Sequence, residues 1–157
     1  HAYTATQNLV DGSVKGNDYL RGRSAACNIV PSTTGAALTV AKAIKDLEGK
    51  FDGLAIRVPV ACGSLADITF VAKRPTSREE INELIKKAAL EPRWQGILGY
   101  SEEPLVSSDI IQDFRPAIVD LSFTKVVDND LAKVLIWYDN EWGYAQTLAL
   151  QLQRLLI

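Results

Sequence analysis

The sequence predicts an α+β fold, with a mixed, largely antiparallel sheet covered by helices on one face. Three observations point there. Strand-like runs are grouped instead of alternating strictly with helices, two long helical patterns lie between them, and several strands are joined by short turns. The 157 residues amount to one domain, or most of one, with room for a real core.

Residues 1–10 show no clear period, and 11–18 are rich in Gly, Asp, Asn and Ser and read as a loop. A short apolar extended run covers 27–30. A helix follows, with Ala36, Ala37, Val40, Ala41, Ile44 and Leu47 at helical spacing and Gly49 as a stop signal. Residues 53–60 (GLAIRVPV) are strand-like, with Arg57 among aliphatics. After a break at 61–63, residues 64–73 form a second strand placing Ala66, Ile68, Phe70 and Ala72 on one face. The pattern TSRE at 76–79 reads as a capping box. The helix it starts carries a stripe of Ile81, Leu84, Ile85, Ala88 and Ala89 and ends before Pro92. Short strands are expected at 96–100 and at 117–123, the latter with Asp120 on the side opposite Val119 and Leu121. Asp128, Asn129 and Asp130 make a turn, 131–138 a nearly continuous apolar strand, and the tail from 143 a helix with Leu148, Leu152, Leu155 and Leu156 along an apolar stripe.

A hydrophobic content of 47%, a charged content of 23% and a net charge of −2 fit a soluble globular protein. They argue against non-specific nucleic-acid or membrane binding. No apolar run approaches the roughly 18 residues of a membrane span, and no signal peptide is visible. Cys27 and Cys62 have neither disulfide-framework nor metal spacing, so no metal is expected and a reducing cytoplasm is the simplest setting. The chain begins at His1 and contains no methionine, which suggests a processed, truncated or incompletely reported chain. No G-x-G-x-x-G follows a strand, so no dinucleotide-binding fingerprint is present.

The stretch RGRSAACNIVPSTTG (21–35) is organised for anions. The first turn of a helix has unpaired N–H groups and partial positive charge. Thr33 or Thr34 adds a hydroxyl, Gly35 permits close approach, and Arg21 and Arg23 offer guanidinium forks. The plainer alternative is an N-cap, a core helix and two surface arginines.

Four segments then occur in order: HAYTATQ (1–7), NIVPSTTGAA (28–37), RVP (57–59) and WYDNEWGY (137–144), with ILGY (97–100) and VSSD (106–109) between the last two. Together they resemble the C-terminal, catalytic domain of the glyceraldehyde-3-phosphate dehydrogenase family. The resemblance implies a glycolytic oxidation of a phosphorylated aldehyde by NAD (or NADP) with uptake of inorganic phosphate, giving an acyl phosphate. It implies that His1 is the catalytic base, that Thr4 and Arg57 bind the substrate phosphate, and that Arg21, Thr34 and Gly35 bind inorganic phosphate. Asn140 matches the residue that hydrogen-bonds the nicotinamide carboxamide, and Tyr144 the aromatic residue beside that ring. Residues 11–27 resemble the family's S-shaped loop at subunit contacts, and a homo-oligomer, dimer or tetramer, is implied. The family's nucleophilic cysteine lies upstream of the histidine, and neither Cys27 nor Cys62 matches it. Cys62 stands where members commonly carry other residues. The whole of 1–157 then reads as catalytic domain, with the dinucleotide-binding domain and most of the cofactor site outside it and the chain inactive alone. Two alternatives stay open: a stand-alone module for phosphate binding or oligomerisation, and an enzyme of erythrose 4-phosphate.

Overall fold

The computed structural model describes residues 1–14 and 16–156. Lys15 of the expected loop and Ile157 at the end of the apolar tail lie outside the described residues. The chain forms two compact units, His1–Ala61 and Cys62–Ile157.

Backbone pairing in the first unit is brief. Strand β1 (Val30–Ser32) lies antiparallel to β2 (Ala55–Arg57), with Val30 opposite Arg57 and Ser32 opposite Ala55. The strand lies later than the run expected at 27–30 and includes Pro31, which a two-stranded ribbon tolerates because one of its sides needs no N–H donor. Past β2, Val58 forms a parallel bridge with Ala2. The Val58 N–H donates to His1 O at 2.9 Å, and Tyr3 N–H to Val60 O at 3.0 Å. Helix α1 (Ala36–Ala43) buries Ala37 and Ala41, one turn apart. It ends before the expected Leu47. Ile44 turns extended (φ −117°, ψ 91°), and Lys45–Leu47 make a 3₁₀ turn before Gly49 at φ 70°.

The second unit contains the main sheet, in the order β3 (Ser64–Val71), β6 (Leu131–Tyr138), β5 (Ala117–Val127), β4 (Leu98–Ser101). Only the β4–β5 pair is parallel, so the expected mixed, largely antiparallel sheet is what forms. Asp128 and Asn129 sit at φ 51° and 64°, and the turn of 128–130 joins β5 to β6. Asp and Asn tolerate this left-handed geometry better than most residues. Helix α2 (Arg78–Ala89) lays Ile81 and Ile85 on one sheet face against Ile68, Val126, Ala132, Val134 and Ile136. Burying each such side chain contributes about 1.5–3 kcal/mol.

Two local expectations shift. The cap of α2 is Ser77, whose Oγ accepts the Glu80 N–H at 3.2 Å. The overlapping register SREE satisfies the same pattern as TSRE. Thr76 is used otherwise: its N–H reaches Asn129 O at 2.7 Å and its hydroxyl reaches Glu80 at 2.8 Å. Strand β5 also runs to Val127 with a register shift between Asp120 and Lys125, and both of its faces are buried near Asp120. The buried Asp120 is satisfied by the Trp137 indole N–H at 3.1 Å and by the N–H and hydroxyl of Ser122 at 3.2 and 2.5 Å.

Helix α3 (Trp142–Leu155) starts one residue earlier than expected. Its Leu148, Leu152 and Leu155 are exposed, the last to 82%. Among the described residues no helix is long and apolar enough to cross a membrane.

Candidate functional site

In the first unit the bridge between residue 2 and residue 58 sets His1 beside the end of β2, and Thr4 follows from the same segment. Arg57 Nη1 donates to Thr4 Oγ1 at 3.2 Å and to Ala2 O at 3.4 Å. The same Nη1 lies 3.4 Å from His1 Nδ1. That nitrogen is 2.5 Å from Ala2 O, and a carbonyl only accepts. Nδ1 therefore carries a proton, its approach to Arg57 is a contact between two donors, and in the neutral ring the lone pair falls to Nε2. Sequence reasoning grouped His1, Thr4 and Arg57, and the structure brings them together. Arg57 is half-buried and has no carboxylate partner among the described residues. A partly desolvated guanidinium without an anion favours binding one.

The second trio is looser. Thr34 Oγ1 accepts the Ala36 N–H at 3.2 Å, and Gly35 is the exposed N-cap of α1. Arg21 forms an ion pair with Asp18 at 3.0 Å, and among the described residues no hydrogen bond joins it to the start of α1.

In the second unit the corner between β6 and α3 is built on Asp139, which is 2% exposed. Its Oδ1 accepts the Glu141 and Trp142 N–H groups, both at 2.9 Å, and so caps α3 from upstream. Its Oδ2 accepts the Gln112 N–H at 2.8 Å and the Cys62 thiol at 3.3 Å. Burial opposes ionisation of Asp139, but the N–H groups of Trp142, Gln112 and Glu141 outweigh it, and the carboxyl stays below its usual range. Burial, with Asp139 and Glu141 beside it, pushes the Cys62 thiol up to about 11. Such a thiol is a poor nucleophile at neutral pH.

Asn140 follows directly. Its Oδ1 accepts the Gly63 N–H at 3.1 Å and the Ser64 hydroxyl at 3.5 Å, while Nδ2 donates to Glu141 at 2.6 Å. Gly63 is required here. It has φ 87°, and a Cβ would stand 2.2 Å from Ser107 O. Tyr144, in the first turn of α3, is 73% exposed. Sequence reasoning passed over Asp139, although an acid three residues ahead of a helix start is a legible capping signal.

The chain has an α+β fold with one unit carrying a mixed sheet, and another in which an oriented histidine lies beside an arginine without a carboxylate partner among the described residues. Residues 1–140 match the family model described as glyceraldehyde 3-phosphate dehydrogenase, C-terminal domain. The chain belongs to that family. It is 52% identical over 148 residues to a glyceraldehyde-3-phosphate dehydrogenase of Mycobacterium avium, covering 94% of this chain and 42% of the relative. A Mycolicibacterium smegmatis enzyme of the same name is 50% identical over 149 residues, covering 95% and 43%. One from Borreliella burgdorferi is 43% identical over 157 residues, covering 99% and 46%. The chain thus spans less than half the length of these relatives.

Proposed function

We propose that this chain is the catalytic domain of a phosphorylating aldehyde dehydrogenase that converts glyceraldehyde 3-phosphate, phosphate and NAD to 1,3-bisphosphoglycerate and NADH. The observation that carries the reading is the half-buried Arg57, which donates to Thr4, has no carboxylate partner among the described residues and lies next to an oriented His1. Arg57 and Thr4 hold the substrate phosphate. His1 Nε2 takes a proton from the nucleophile, which an upstream segment supplies. Thr34, Gly35 and Arg21 receive the attacking phosphate, with Arg21 turning away from Asp18.

Asn140 suits a carboxamide: with its oxygen held by Gly63 and one N–H held by Glu141, the second N–H can donate to an amide oxygen. The open ring of Tyr144 suits a flat aromatic neighbour. The nicotinamide of NAD or NADP, when bound, accepts hydride; its dinucleotide portion falls to a domain outside this chain. The exposed leucines of α3 support packing on that domain or in a homo-oligomer, dimer or tetramer. The free thiols support a cytoplasmic setting.

Arg57→Ala in the full-length enzyme is expected to lower kcat/KM for glyceraldehyde 3-phosphate by about 10²-fold, the scale of a lost charge-assisted contact. Use of unphosphorylated glyceraldehyde should change little. Steady-state kinetics on both aldehydes decide it, and equal losses would sink the assignment of Arg57. Crystals grown in sulfate or phosphate should show an anion at the start of α1, against Thr34 and Gly35. A well-ordered helix start holding only water at high sulfate would count against that site.

A further inference from the structure

We propose that Cys62, Asp139 and Glu141 form a site for a thiophilic divalent cation of the zinc class. Cys62 Sγ is 3.3 Å from Asp139 Oδ2 and 3.6 Å from Glu141 Oε2, and the three donor atoms all lie within 4.8 Å of one another. A tetrahedral zinc centre, with Zn–S near 2.3 Å and Zn–O of about 2.0–2.2 Å, places sulfur about 3.5–3.7 Å from each oxygen. The separation from Glu141 falls in that range and the one from Asp139 is slightly shorter. One thiolate and two carboxylates leave a fourth position for water. Sulfur among the donors favours zinc, cobalt or cadmium over magnesium or calcium.

The lone pairs are available in the right places. Asp139 Oδ1 is committed to the N–H groups of Glu141 and Trp142. Oδ2 holds the Gln112 N–H at 2.8 Å and, with its other lone pair, the thiol proton. A cation takes the place of that proton, which leaves to solvent, and the bond from Gln112 is kept. Glu141 is already steered, because Asn140 Nδ2 holds its Oε1 and leaves Oε2 towards the sulfur. Backbone and amide groups that orient ligands in this way are what metal centres require around their donors. Among the described residues neither Asp139 nor Glu141 has an ion-pair partner, so two carboxylates face a thiol without a compensating cation. Glu141 is exposed and Cys62 only half-buried, so the site can be reached from water.

Co²⁺ titration of the reduced chain under a phosphine reductant tests this. The expected result is one equivalent bound with a sulfur-to-cobalt charge-transfer band, in the unmodified chain and equally in Cys27→Ala. Cys62→Ala should abolish the band while circular dichroism stays unchanged, and Glu141→Gln should weaken binding by at least about 10-fold. Zn²⁺ should displace the cobalt and bleach the band. A folded chain that gives no sulfur band would overturn the proposal. So would a band that survives Cys62→Ala, one lost in Cys27→Ala, or unchanged affinity in Glu141→Gln.

Discussion

With glyceraldehyde 3-phosphate, phosphate and NAD, the 157-residue chain alone is expected to produce no reduced nicotinamide. The chemistry needs a thiolate beside a base, and neither cysteine supplies one. Cys62 donates to two carboxylates that hold its proton on, with an ionisation near 11. The Cys27 thiol contacts Ser24 Oγ at 3.4 Å and Asn28 Nδ2 at 3.7 Å, and neither is a general base. Joined to a matching N-terminal segment, covalently or as a separate fragment, the chain should recover phosphate-dependent oxidation. In that assembly His1→Asn should lower kcat by about 10²-fold or more, the scale for losing a positioned base. The proton on Nδ1 is held by Ala2 O, so the lost function is that of Nε2. Absorbance of reduced nicotinamide, for the chain alone and then complemented, measures both. Robust turnover by the lone chain would overturn the placement of the nucleophile. Full activity of His1→Asn would remove His1 from the chemistry.

Asp139→Ala is expected to destabilise the chain by about 3 kcal/mol, because it removes at once the buried carboxylate that accepts the N–H groups of Gln112, Glu141 and Trp142. Urea denaturation of the two proteins measures this, and a loss near zero would mean that water replaces the carboxylate. The pH dependence has a definite sign. The folded carboxyl titrates below its unfolded value of about 3.9. Its contribution is therefore fully present above the unfolded pKa and disappears as pH falls through the lower, folded one. Acid should narrow the gap between the parent and Asp139→Ala, and neutral pH should restore it. A gap that stayed constant down to strongly acidic pH would show that the carboxylate charge plays no part.

Elements defined by their own periodicity were legible in the sequence. Strand β6 occupies 131–138 as its apolar run predicted, and α2 ends before Pro92 because proline cannot continue a helix. Boundaries set by competition were not legible. Ser77 displaced Thr76 as the cap because both registers satisfy the same pattern, and only the contacts of Thr76 with Asn129 and Glu80 decide between them. Alternation places Asp120 opposite Val119 and Leu121, but it carries no information about burial on both faces, which only the packed sheet decides.

By itself the sequence determined the fold class and the family, and it placed His1, Thr4 and Arg57 within the motifs that carry the resemblance. The first follows from hydrophobic period, and the others from ordered local motifs that survive without coordinates. The tertiary structure alone decided which nitrogen of His1 faces the Ala2 carbonyl, that Arg57 has no acidic partner among the described residues, and that Arg21 pairs with Asp18. It also decided that Cys62 meets Asp139, 77 residues away in the chain. Local motifs reach only a few residues. The meeting of Cys62 with Asp139 depends on the long-range pairing of β3 with β6, which no spacing in the chain encodes.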